Sequence, residues 1–547
     1  MEFNLAEIFT AVAAAVPDAD CIVAGRRHFT YRQVDDRTNR LARVLRDWGL
    51  GAHTERAALA GHQSGQSHLA LYMTNGNPYL EGMIGAYKAR VAPFNVNYRY
   101  VAEELAYVLD NAGASAVMYD AQFGPTLAEA LGPAPDMHLI HVDDGSGVPP
   151  LPGALRYENL LRSVASPEPL DLALSPDDLY ILYTGGTTGM PKGVLWRQND
   201  IYLNAMGGRL FGSTDQMTSL EQIVARAKLG GAGSLTCAPL MHGAAQWSAF
   251  SCILAGRPCV MSSVTSHFDP IDIWELAARE RVAMILIVGD AFARPLADAL
   301  EANPGRWDLS GLQTIGSGGA LFSAGVKQRL LAALPQLRIL DAGGSSETGS
   351  QMGQISTAGG SGTGRFAPNP GAVVVDATMT RILAPGDDEI GWLAQRGLVP
   401  LGYLDDPDKS ARTFPLVDGV RHSIPGDRAR WDADGSIELL GRDSVTINSG
   451  GEKIFAEEVE AAVGHHPAVY DVVVVGRPSA RWGSEVVALV QLAEGTAAGP
   501  EVAASIIAEA GRHIARYKLP KDVLFRDRVL RSPSGKADYR WARAEVS

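Results

Sequence analysis

The rhythm of apolar and polar positions changes twice along the chain. Apolar residues in 31–50 fall at helical spacing and stop at Gly51, which predicts one amphipathic helix. The first 120 residues read as helix-rich with interspersed strands. Between about 177 and 345, short apolar runs alternate with helical stretches. The run 179–183 leads into a glycine-rich loop. Residues 270–279 predict a helix with Asp269 as N-cap and Pro270 in its first turn. The run 282–288 predicts a strand closing on Gly289 and Asp290, and 312–315 a strand closing on Gly316-Ser317-Gly318-Gly319. Residues 323–334 predict a helix, and 337–340 a strand closing on Asp341-Ala342-Gly343-Gly344. Residues 205–232 read as an extended loop or helical insertion, and the Gly-, Ser- and Pro-rich stretch 358–370 as irregular. After about 440 a new unit begins, with a helix over 455–463, strands over 472–475 and 486–492, and a mostly helical stretch over 500–517.

Strands alternating with helices imply α/β layering around a largely parallel sheet. Ligands of such sheets gather at the carboxyl ends of the strands. Three glycine loops sit there, which points to one shared crevice. The fold class is therefore α/β: a large, multi-layered N-terminal domain with mainly parallel sheets, followed by a small α+β C-terminal domain. A length of 547 residues fits more than one domain. The net charge of -13 argues against nucleic acid as a partner, because a phosphate backbone needs a basic surface. The four cysteines form no CxxC pair and read as buried free thiols. No apolar stretch reaches membrane-spanning length and no signal-like start is present, so the expectation is a cytoplasmic enzyme with no membrane span.

The most informative string is Tyr183-Thr184-Gly185-Gly186-Thr187-Thr188-Gly189-Met190-Pro191-Lys192-Gly193-Val194. Its glycines let backbone N–H groups approach phosphate oxygens, its hydroxyls add donors, and Lys192 adds positive charge. It is not a Walker loop, because glycine follows Lys192 and the spacing differs.

This string resembles the phosphate-loop signature of the adenylate-forming superfamily: acyl-CoA synthetases, peptide-synthetase adenylation domains and luciferases. The resemblance continues through the chain in the superfamily's order. Pro239-Leu240-Met241-His242-Gly243 resembles the motif that places a histidine or aromatic beside the carboxylate and acyl pocket. Gly318-Gly319-Ala320 matches the segment along the adenine and acyl groups. Asp341 and Gly343-Gly344-Ser345-Ser346-Glu347-Thr348 align with the aromatic-Gly-x-Thr-Glu region. By that match Ser346 contacts phosphate and Glu347 helps to bind magnesium. Gly343 stands where the superfamily commonly has the aromatic that stacks on adenine. Asp427 matches the aspartate on the ribose hydroxyls, and Arg442 the arginine that joins it. Ile447-Asn448-Ser449-Gly450-Gly451-Glu452-Lys453-Ile454 resembles the start of a mobile C-terminal domain, with Gly450 and Gly451 beside the CoA thiol tunnel. Ser444 takes the place of the usual hinge Asp or Lys. Ser532-Pro533-Ser534-Gly535-Lys536 resembles the catalytic-lysine motif.

The resemblance thus implies domains at 1–440 and 447–547 with a hinge at 441–446. It implies that ATP, Mg²⁺ and coenzyme A serve a two-step reaction on a small-molecule carboxylate. The carboxylate attacks the α-phosphate and pyrophosphate leaves; the CoA thiolate then attacks the acyl-adenylate and AMP leaves. Two anions must meet in the first step, so positive charge and rigid donors are required. Catalytic roles fall to Lys536, Glu347, Lys192 and His242, and acyl-pocket roles to His242, Trp247, Asp290, Gly316 and Gly318. Local strings such as Phe94-Asn95-Val96-Asn97-Tyr98-Arg99 resemble bacterial fatty-acyl-CoA synthetases and sterol side-chain ligases. They imply a long-chain or polycyclic, steroid- or terpenoid-like acid. A carrier-protein acceptor, a catalytically decayed nucleotide-binding protein, a luciferase-like oxygenase and a homodimeric state all stay open.

Overall fold

The computed structural model describes residues 1–546 apart from 133–135, 185–189, 211, 321, 361–363, 443–444, 450–451, 480–482 and 532–535. Two large sheets are stacked with helices between and outside them. One runs Gly402–Tyr403, Lys192–Arg197, Leu179–Thr184, Ala92–Asn95, His68–Tyr72, Ala114–Asp120, His138–Val142, Leu155–Arg156. The other has at its centre Cys259–Met261, Ser234–Thr236, Met284–Ile287, Thr314–Gly318 and Arg338–Ser345, all parallel.

Alternation along the strands explains the stacking, since successive side chains of a strand point to opposite faces. Leu69 and Leu71 join the core between the sheets, while Ala70 and Tyr72 join an outer core under helices Ala102–Asn111 and Gly124–Leu131. In the second sheet, Leu235, Ile285, Ile315 and Ile339 pair in one row and face an outer core beneath helices Pro270–Arg279, Gly289–Ala302 and Ala324–Ala333. Asp269 caps the first of these helices, accepting from Ile271 and Asp272 N–H.

Elements expected from the sequence recur with shifted ends. The 337–340 strand extends to Ser345, because an antiparallel partner, Gly349–Ser356, continues the ladder through the glycines. Residues 205–232 contain helix Leu220–Lys228, and the stretch expected to be irregular contains strand Arg365–Pro368. Beyond Arg338 the sheet is antiparallel out to Leu416–Val417.

After Arg442 the C-terminal unit has its own sheet: hairpin Val469–Ser479 and Gly483–Leu492, with Asp522–Phe525 parallel to its second strand. It also has its own hydrophobic clusters, built on Val459, Val474, Val490 and Ile506 on one face of the hairpin and Val473, Val475 and Leu489 on the other. All four cysteines are free, and Cys21, Cys252 and Cys259 are buried. Among the described residues no helix is long and apolar enough to cross a membrane.

Candidate active site

One cavity of about 1400 Å³ lies on the inner face of the second sheet and is closed on one side by the C-terminal unit. This exceeds the roughly 300–1,000 Å³ of an ordinary ligand pocket. Its floor follows from the strand register. The row Leu286, Gly316, Leu340 points inward, one residue out of phase with the row that packs the outer core. Gly318 and Ala342 form the next inward row toward the carboxyl ends. A Cβ at Gly316 would come within 2.6 Å of Met284 Cε, so glycine there keeps the floor flat.

The walls come from motifs distant in the chain. His242 is the N-cap residue of helix Gly243–Ile253, and Trp247 follows in that helix; both line the cavity. The buried His242 Nε2 has no hydrogen-bond partner among the described residues. Burial, with Lys536 and Arg99 adding repulsion, pushes the imidazole down to about 4, so it is neutral at ordinary pH. Asn95 ties this wall to the phosphate-loop strand: its amide donates to Tyr183 O at 2.8 Å and Met241 O at 2.6 Å, and its Oδ1 accepts from Tyr183 N at 2.7 Å. Thr184 lines the cavity and faces Lys192 across the hairpin. Gly185, Gly186, Thr187, Thr188 and Gly189 lie outside the described residues.

The turn carrying Ser345, Ser346 and Glu347 is pinned from several sides. Trp196 Nε1 donates to Ser346 O at 2.9 Å, and Ser423 Oγ to Glu347 O at 2.7 Å. Ser345 N donates to Thr348 Oγ1 at 2.9 Å. Tyr403 OH donates to Glu347 Oε1 at 2.9 Å, and the Lys192 ammonium lies 5.7 Å from the Tyr403 ring. That ammonium pairs with Asp406 at 2.6 Å. Among the described residues no group of three or more His, Cys, Asp or Glu could hold a metal. One carboxylate beside hydroxyls instead suits a Mg²⁺ that arrives on nucleotide phosphates and keeps its waters.

Gly343 and Gly344 line the cavity on the same strand. A Cβ at Gly343 would lie 2.6 Å from Met352 Cε on the antiparallel partner, and one at Gly344 would strike Gly349 O. An aromatic side chain at 343 would therefore have to displace the buried Met352 side chain. Asp427 and Arg442 are register partners across an antiparallel strand pair. Lys536 enters from the C-terminal unit; its Cε lies 3.8 Å from the Cβ position of Gly319. Ser444, Gly450, Gly451 and residues 532–535 fall outside the described residues.

Three expected site residues, Asp341, Asp290 and Ala320, lie elsewhere. Asp341 occupies the outward-facing phase of its strand, and its buried carboxylate pairs with Lys327 at 3.0 Å instead of facing the cavity. Asp290 pairs with Arg294 at 2.8 Å and accepts from Ser323 N at 2.9 Å. It lines a separate small crevice shared with Asp471 and Arg531, where the two units touch. Ala320 packs against the inner core and does not line the cavity. Sequence reasoning missed Tyr403, Asp406 and Asn204; the last holds Thr348 O at 3.1 Å and accepts from Ser350 N at 2.8 Å. Asn204 is a buried polar residue in helix Gln198–Ala205, and nothing local in the sequence marks Tyr403 or Asp406.

Two family models match this arrangement. "AMP-binding enzyme" covers residues 9–404, and "AMP-binding enzyme C-terminal domain" covers 458–536. The chain belongs to the AMP-binding enzyme family. Among similar family members, the medium-chain acyl-CoA ligase Mig of Mycobacterium avium is 53% identical over 100% of this chain and 98% of its own. The 3-oxocholest-4-en-26-oate–CoA ligase of Rhodococcus rhodochrous is 38% identical over 100% of this chain and 96% of its own. Among solved structures, the anthranilate CoA ligase AuaEII in complex with anthranoyl-AMP superposes with a TM-score of 0.82 at 19% identity, covering 100% of this chain and 98% of that one. At that identity the likeness concerns the fold.

Proposed function

We propose that this AMP-binding enzyme activates an acyl carboxylate with ATP and passes the acyl group to coenzyme A. The observation that carries the reading is the meeting of Lys536 with the Gly318–Gly319, His242 and Ser345–Ser346 walls around one cavity. Full-length likeness to acyl-CoA ligases supports it.

In this reading residues 1–440 form the adenylating body, 441–446 the hinge and 447–547 the lid. Lys536 neutralises the incoming carboxylate and the α-phosphate as their oxygens approach. His242, neutral, offers Nε2–H to a carboxylate oxygen and orients it. The serines of the 345–346 turn and the loop from Thr184 to Lys192 hold the phosphates, and Asp427 with Arg442 takes the ribose hydroxyls. Glu347 is the Mg²⁺ ligand, held in place by Tyr403; the ion supplies charge neutralisation on the phosphates. The residues around Gly450 and Gly451 border the thiol's approach. Lid rotation about the hinge withdraws Lys536 before the thiolate attacks.

The acyl group lies along Leu286, Gly316, Leu340 and Trp247. The size of the cavity and the absence of a side chain at Gly316 favour a long-chain or polycyclic acid over a short one.

The test is AMP and pyrophosphate release from ATP and Mg²⁺ with a panel of fatty and polycyclic acids, with and without coenzyme A. Mass spectrometry would read the acyl products. Wild type should form acyl-CoA, and Lys536→Ala should lose adenylate formation by on the order of 10²-fold or more. Pyrophosphate release that is indifferent to coenzyme A would point to another acceptor. No adenylate with any acid would defeat the reading.

A further inference from the structure

The end of the cavity remote from Lys536 is chemically unlike its middle. The floor rows advance from Gly318 and Ala342, through Gly316 and Leu286, to Met284 and Ser234 at the amino ends of the strands. Met284 pairs with Thr314, four residues before Gly318, which is about 13 Å at about 3.3 Å per residue. The middle of this path is apolar. Ser234 sits at the far end beside the segment carrying Arg257, whose charge is felt by Arg226; all three line the cavity, as does Arg209.

A guanidinium carries five N–H donors. Among the described residues, most donors of these arginines have no protein acceptor. Arg226 gives one bond, to Gly207 O at 2.7 Å, and Arg257 one, to Gly230 O at 3.2 Å. Arg209 shows no side-chain hydrogen bond, and none of the three forms an ion pair among the described residues. Arg226 and Arg209 are half-buried and Arg257 is exposed; burial disfavours the charge of the first two, with Arg257 adding repulsion on Arg226. The Ser234 hydroxyl is an independent sign: the residue is 95% buried, lines the cavity, and its Oγ has no partner among the described residues. A buried hydroxyl left in this way is costly unless a ligand satisfies it.

Resting on the acyl-activation reading, we infer that the acyl substrate carries a hydrogen-bond-accepting oxygen function, a carboxylate or a carbonyl, at the end remote from the carboxyl that is activated. The far-end arginines and Ser234 bind that oxygen, while the apolar middle accommodates the hydrocarbon between.

The experiment compares acids matched in length: plain monocarboxylates, the corresponding α,ω-diacids and the corresponding ω-oxo acids. For each, kcat/KM for AMP release with coenzyme A is measured in wild type, Arg209→Met, Arg226→Met and Ser234→Ala. At the length that spans the cavity, wild type should prefer an oxygenated acid by at least about tenfold, the worth of one charge-assisted hydrogen bond. The ratio should fall toward one in the arginine variants. Preference for diacids identifies a carboxylate, and equal preference for ω-oxo acids identifies a carbonyl. Preference for plain acids at every length, or a ratio unchanged by the variants, would overturn the inference. If no acid at all supports AMP release, the acyl-activation reading fails. Calorimetric binding of the same plain and oxygenated acids to wild type and Arg209→Met then decides the far-end site on its own. Arg209→Met serves there because its side chain makes no protein hydrogen bond whose loss would disturb folding.

Discussion

Tyr403 OH donates to Glu347 Oε1, and in the proposed reading that bond orients the carboxylate toward a Mg²⁺ ion on the phosphates. Removing the hydroxyl in Tyr403→Phe should lower kcat/KM for pyrophosphate release about tenfold, the size expected for a hydrogen bond to a charged group. It should also raise the Mg²⁺ concentration giving half-maximal rate; a Mg²⁺ titration of both proteins checks this. His242 permits a pH prediction. Its folded-state value of about 4 lies below the ordinary value near 6.5, so the ring stays neutral as pH falls through the usual histidine range and charges only near 4. The factor by which His242→Gln slows adenylate formation should therefore be constant from pH 5.5 to 8. A factor that changes around pH 6.5 would show a ring protonating normally. At this scale contiguous motifs named His242, Ser346 and Lys536, which the fold brings to one cavity. The sequence did not disclose Tyr403 or Asn95, whose partners Glu347 and Met241 are brought to them only by the tertiary fold. Nor could it show that Asp341 faces away, because strand phase depends on where the strand begins.

The strand Arg338–Ser345 shows why glycine misleads at the level of elements. Glycine is depleted in strands, so Gly343 and Gly344 read as a loop. Here the pair permits close approach of the Gly349–Ser356 partner, and Met352 fills the space over Gly343. Gly343→Tyr, which places an aromatic at this position, should destabilise the protein by about 1–3 kcal/mol through overpacking. Combining it with Met352→Ala should recover much of that loss. Thermal melts of the two single variants and the double variant would measure the coupling; simple additivity would count against direct packing. Elements with complete local signals, such as the Asp269-capped helix Pro270–Arg279, were legible to the residue. The antiparallel continuation beyond Gly349 was not, since nothing local in a run such as Arg365–Pro368 specifies its partners.

At the scale of the whole molecule, the α/β body and the separate small C-terminal unit were both legible from the switch in periodicity. Their contact was not. Gly441 sits at that contact with φ +122°, a conformation that favours glycine, and a Cβ there would strike the Glu457 carboxylate on the first helix of the C-terminal unit. Gly441→Ala should therefore disfavour the arrangement that delivers Lys536. Adenylate formation should fall several-fold while thioester formation from supplied acyl-adenylate is spared, which rapid-quench assays of each half-reaction would show. Equal loss in both would indicate general damage. The C-terminal unit has hydrophobic clusters of its own. A unit with its own core can melt on its own, so calorimetry of the ligand-free protein should resolve two heat-absorption peaks. A non-hydrolysable acyl-adenylate mimic bound between Gly319 and Lys536 would hold both units at once. It should draw the two peaks together into one, which makes the shape of a melting curve a direct gauge of how firmly the lid is latched.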